Sequence, residues 1–180
     1  MPLPKAFTFA GNPINSFSKS AASGVAGCLG ACLIVIGFLL DNPLQIYYVV
    51  GAALLLIKAL FFKLTYFIAL ELIIIAGHGA IFFGIGPILQ IVILILLSFQ
   101  LLVYYLLSGE LQTIYRLIGI AGIALLSIGF SYTNCWIFLF GNLFVASFAY
   151  YSVYKGKRIA LIWAILNTVL VLSLLLKLTF

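Results

Sequence analysis

Apolar residues fill this chain in long blocks, broken only by short polar or glycine-bearing gaps. An α-helix needs about 20 mainly apolar residues to cross a bilayer, and the blocks have that length. They predict seven spans: Ala21–Leu40, Pro43–Phe62, Leu64–Phe83, Pro87–Leu107, Ile114–Ser131, Asn134–Tyr154 and Ile159–Leu178. Gaps as short as Asp41-Asn42 or Tyr132-Thr133 make successive spans antiparallel and mostly adjacent. Residues 1–20, with Pro2, Pro4, Lys5, Pro13 and Lys19, are expected to form a cytoplasmic N-terminal tail, disordered or interfacial, with no secretory signal pattern.

One stretch occurs twice. Gly27–Asn42 returns as Gly119–Asn134 at an offset of 92 residues, with seven of sixteen positions identical. Gly27/Gly119, Gly30/Gly122, Gly37/Gly129 and Asn42/Asn134 are among them, and Lys63/Lys155 coincide at the same offset. Four spans separate the copies, so both point the same way through the membrane. The expected fold class is therefore an all-α polytopic membrane protein. Two parallel three-helix units, residues 21–83 and 114–178, flank a connector helix at 87–107. Parallel repeats of this kind carry a site between the halves, near the midplane.

Composition narrows the class without changing it. Hydrophobic residues make up 66% of the chain and charged ones 7%, against about 25% charged in soluble domains. The length is used up by spans, leaving no soluble catalytic or nucleic-acid domain. The net charge of +6 reads as topology. Lys5, Lys19, Lys58, Lys63, Arg116, Lys155, Lys157 and Arg158 fall on one side, with Lys177 opposite beside Asp41. The positive-inside rule then puts the N-terminus in the cytoplasm and the C-terminus outside, and the expected location is a cytoplasmic (inner) membrane. Cys28, Cys32 and Cys135 lie in or beside apolar segments, with no second pair to suggest a metal site.

Candidate chemistry is sparse. Ser23, Gly27 and Ala31, and likewise Ala22, Ala26 and Gly30, form rows of small residues that suit close helix packing or a sliding surface. Asn42-Pro43 suits a cap and first turn for the second span, and Thr133 or Asn134 suits a cap for the sixth. Glu71 lies in mid-span, where an ionised carboxylate costs at least about 2.5 kcal/mol unless paired or solvated. His78 lies two turns further along the same face, within Ala76-Gly77-His78-Gly79-Ala80. For both, lining a cavity competes with a hydrogen bond that holds helices together, and Glu71 is also a candidate proton-coupling group. Asn142 and Asn167 lie near the middle of the sixth and seventh spans. At the repeat offset Glu71 corresponds to Trp163 and Ile75 to Asn167. Glu71, His78, Asn142, Trp163 and Asn167 are thus the expected substrate-binding residues. Gln45 and Gln90 are candidates for an entrance. The tyrosines read as interfacial belt residues, with Tyr47 and Tyr48 the deepest.

The three-plus-one-plus-three architecture, together with Trp163-Ala-Ile-Leu-Asn167 in the last span, resembles the SWEET sugar transporters and PnuC vitamin transporters. That resemblance implies a pocket lined by tryptophan and asparagine. The expected function is transport or facilitated passage of a small, neutral or weakly polar metabolite, such as a vitamin, nucleoside or sugar, by alternating access. No basic residue lies deep in a span, which disfavours strong anions. A non-catalytic subunit or assembly factor is the alternative. A membrane-embedded lipid enzyme is less favoured, because Asp41, Glu71 and Glu110 fall in different segments and form no catalytic constellation. The expected partners are a small-molecule solute and the lipid bilayer, with no cofactor, metal or nucleic acid. A homo-oligomer stays open.

Overall fold

A computed structural model describes residues 13–40, 45–111 and 113–179, with side chains left undescribed for 13–22 and Phe130. Among the described residues the chain is all helical, with seven α-helices and no strand. They are α1 (Pro13–Leu39), α2 (Gln45–Phe61), α3 (Thr65–Phe82), α4 (Pro87–Leu107), α5 (Ile114–Tyr132), α6 (Cys135–Tyr154) and α7 (Leu161–Thr179), the last entered through a 3-10 turn at Arg158–Ala160. Four segments, Thr65–Phe82, Pro87–Leu107, Cys135–Tyr154 and Arg158–Thr179, are long and apolar enough to cross a membrane. Ser23–Leu39, Gln45–Phe61 and Ile114–Gly129 are shorter apolar helices.

The seven predicted blocks thus coincide with the seven helices, apart from α1. That helix starts at Pro13, so part of the expected tail is helical. Proline suits a first helical turn, where its missing N–H costs nothing. Asp41, Asn42 and Pro43, including the expected cap of the second span, lie outside the described residues. Asn134 caps α6 as expected, its side-chain oxygen accepting from the Trp136 and Ile137 amides at 3.0 and 3.1 Å.

Helix ends share one device. α2, α3, α4, α5 and α6 each stop at a residue with positive φ: Lys63, Gly84, Gly109, Thr133 and Gly156. The next amide in each case donates back to a carbonyl five residues earlier, as Leu64 does to Ala59 and Lys157 to Ser152. These are Schellman-type exits, which satisfy orphan carbonyls at the helix end. They also correct the repeat. The exit turn of α2 carries Lys63 where that of α6 carries Gly156, so Lys63 and Lys155 are not equivalent in structure. On the 92-residue offset α6 ends at Tyr154, one residue later than α2 at Phe61, which accounts for the shift.

Helices follow one another around a closed ring. Each of α1 to α7 packs on its sequence neighbours, α7 returns to α1, and α3 also touches α5 behind α4. α4 is the peripheral member, burying only Gln90, Leu94, Ser98, Leu101 and Tyr105. Those positions recur at three- and four-residue spacing, one helical face. The rest of α4 exposes large apolar side chains such as Leu96 and Phe99.

The small residues are packing residues. A Cβ on Gly30 would sit 2.6 Å from the Gly51 carbonyl oxygen, and one on Gly51 would sit 2.8 Å from that of Gly30. Across α5 and α6, a Cβ on Gly122 would sit 2.9 Å from the Val145 amide. Gly51 lies against Ile34, and Gly141 lies against Leu126 in the same way. Small residues let backbones approach, and dispersion supplies the attraction.

Candidate functional site

Between the helices lies a closed cavity of about 30 Å³ lined by Glu71, Asn142, Trp163 and Asn167. Four of the five predicted site residues therefore meet. Two apolar pairs in the same wall, Ile34/Leu126 and Ile74/Leu166, are related by the repeat offset. The Trp163 indole Nε1 donates to Glu71 Oε1 at 2.6 Å, joining residues 92 apart. Both are buried, Glu71 at 1% and Trp163 at 0% exposure. Their separation equals the offset of the sequence repeat.

Trp163 reaches this point because α7 carries Trp163, Ala164, Leu166, Asn167, Leu170 and Leu174 on its buried face. Ala164 leaves room for neighbouring side chains. Asn142 and Asn167 each donate an amide N–H to the carbonyl four residues earlier in their own helix, Phe138 at 2.7 Å and Trp163 at 2.8 Å. That tether leaves each side-chain oxygen as an acceptor. Glu71 Oε2 has no hydrogen-bond partner among the described residues. Nor does Glu71 form an ion pair among the described residues; Arg116 and Glu110 pair at 3.3 Å in a separate cavity. A buried acid without a cation, beside two amides, suits a neutral or positively charged guest better than an anion.

His78 is placed elsewhere. Its Nδ1 lies 2.6 Å from Gln45 Oε1, and its ring stacks on Tyr48 at 4.2 Å between centroids. With Gln45, Tyr48 and Lys177 it lines a second cavity of about 260 Å³, towards the start of α2 and the end of α7. Gln45 thus lines a cavity, whereas Gln90 donates to the Ile85 carbonyl at 2.5 Å. At the opposite end, a third cavity of about 440 Å³ is lined by Lys63, Arg116, Lys155 and Lys157.

Aromatic side chains divide the three cavities. Phe67 lines the basic cavity and stacks on Trp163 at 4.4 Å, while Tyr66 and Phe148 pack beside it at 4.1 Å between centroids. Phe38, Tyr48 and Phe138 line both the central cavity and the His78 cavity, with Phe38 and Phe138 stacked at 6.0 Å. Sequence reasoning passed over Phe67, Phe38 and Phe138, since one phenylalanine among many apolar residues carries no distinguishing signal. Tyr105 and Tyr151, read as belt residues, line the basic cavity instead.

Among the described residues no group of three or more histidine, cysteine or acidic side chains could hold a metal ion. No protein-family model matches the chain, and no curated protein or solved structure matches it significantly.

Proposed function

We propose that the chain is a membrane transporter or facilitator for a small, neutral or weakly polar metabolite. In this reading α1–α3 and α5–α7 are two parallel three-helix units and α4 is the connector. The neighbour relations support it: α1 on α2, α2 on α3 and α1 on α7 recur as α5 on α6, α6 on α7 and α5 on α3. The bundle lies in a cytoplasmic membrane with its basic end inside, on the argument of positive charge.

The observation that carries the reading is the Glu71–Trp163 hydrogen bond, set at the repeat axis between one cavity at each end. A space of about 30 Å³ holds little more than one water molecule, whose share of liquid volume is about 30 Å³. The geometry is therefore that of a form closed to both sides. Passage requires the Phe67–Trp163 stack and the Phe38–Tyr48–Phe138 group to part in turn, which is alternating access between the two units. Among the described residues the two acids, Glu71 and Glu110, line separate cavities.

Purified protein tests this directly. Nucleosides, vitamins and sugars are screened for thermal stabilisation, and the stabilising solute is then followed into proteoliposomes. Uptake should fall to background in Glu71→Ala, Asn142→Ala, Trp163→Ala and Asn167→Ala protein that remains folded. Normal uptake by all four variants would overturn the reading.

A further inference from the structure

We propose that the cavity at the basic end is a binding site for a phosphate-bearing anion. The inference does not depend on transport.

Four cationic side chains meet in one space. Lys63 follows α2, Arg116 lies in the first turn of α5, and Lys155 and Lys157 follow α6. Placement of basic residues on one side accounts for their depth but not for their convergence. Lys58 and Arg158 lie at the same end and do not line the cavity. Glu110 offsets one charge by pairing with Arg116. Among the described residues no carboxylate pairs with Lys63, Lys155 or Lys157.

Backbone and hydroxyl groups add donors. The cavity wall includes Leu64 and Thr113, the N-cap residues of α3 and α5, and neither gives its helix a side-chain cap. The first amides of a helix are orphan donors with a partial positive charge, suited to an anion. Thr113 Oγ1 is buried without a hydrogen-bond partner. Two of the cations are held over rings, Arg116 at 5.3 Å from the Tyr105 centroid and Lys155 at 5.7 Å from that of Tyr151.

The chemistry selects the ligand. Several converging donors and three unpaired ammonium groups match a group with a double charge and three acceptor oxygens. A phosphomonoester offers these, and a single carboxylate leaves most of the donors unused. The volume of about 440 Å³ leaves room for the organic part, and lies within the roughly 300–1,000 Å³ of small-molecule sites. Phe67 and Tyr66 form an aromatic floor for it. Two sources carry this group: a soluble phosphate ester and a phospholipid headgroup.

The test uses full-length protein in phosphatidylcholine nanodiscs. Glycerol 3-phosphate is titrated at constant ionic strength set with chloride, with glycerol as the neutral control. Binding of the ester should weaken by at least about tenfold in Lys63→Gln/Lys155→Gln/Lys157→Gln protein, as loss of charge-assisted contacts requires. It should be restored by arginine at the same three positions and be unaffected in Lys177→Gln. A second arm measures phosphatidylglycerol retained by the detergent-purified protein. Retention that the triple glutamine variant loses, without ester binding in nanodiscs, assigns the site to a lipid headgroup. Ester binding and lipid retention that are both absent, or both indifferent to the three lysines, overturn the proposal.

Discussion

Glu71 and Trp163 are joined by a 2.6 Å hydrogen bond across 92 residues of chain, the same separation that relates the two copies of the glycine stretch. The contact joins two positions that the sequence offset pairs. It also makes the bond a sensitive place to perturb.

Trp163→Phe keeps most of the ring and removes the donor. It leaves Glu71 buried with neither oxygen bonded, which should cost about 1–3 kcal/mol. Glu71→Gln retains an acceptor oxygen and should cost less. Unfolding in detergent, run as a double-mutant cycle, measures this. Losses that simply add in the double variant would show that the bond contributes little.

Asn142 and Asn167 are predicted to separate function from stability. Their amides bond to carbonyls of their own helices, and even side-chain bonds between helices contribute only about 0.6 kcal/mol on average within membranes. Alanine at either position should therefore unfold close to the parent protein while solute uptake falls sharply. A large loss of stability would assign them to packing instead.

The helix crossing of α1 and α2 should tolerate no side chain. Gly30→Ala drives a Cβ onto the Gly51 carbonyl, and overpacking of this kind costs about 1–3 kcal/mol. Gly79 is the internal control. A Cβ there meets nothing within 4 Å, and alanine in a helix interior should gain about 0.5–1 kcal/mol. Thermal midpoints of the two variants should move in opposite directions.

Asn134→Ala removes the acceptor for two amides at the start of α6. Loss of an N-cap costs about 0.5–2 kcal/mol. Glu110→Gln should cost less than about 1 kcal/mol, because the pair with Arg116 is partly solvated, at 26% and 53% side-chain exposure. Side-by-side denaturation of these two variants checks the order.

Much of the architecture was legible in the residues alone. Apolar blocks of helix length give seven helices within a few residues of their observed ends, because backbone polar groups in such sequences can be satisfied only locally. The repeat was legible too, and with it the matching depth of Glu71 and Trp163. A cap for α6 was legible at Thr133 or Asn134, and the fold assigns it to Asn134. The start of α1 was not legible, because Ser16-Phe17-Ser18-Lys19-Ser20 has no apolar periodicity to reveal a helix.

Which side chains share a space is a different kind of fact. His78 and Glu71 lie on one helix two turns apart, yet they line separate cavities because Tyr48 and its aromatic neighbours stand between them. Lys63 and Lys155 match by letter and miss by one position, because α6 ends one residue later than α2 on that offset. The four cations of the basic cavity come from three distant connections, and nothing local makes them meet. Helix lengths and repeat spacing are local properties, readable along the chain. Cavities, barriers and charge convergence depend on how the helices pack, and only the folded bundle brings them about.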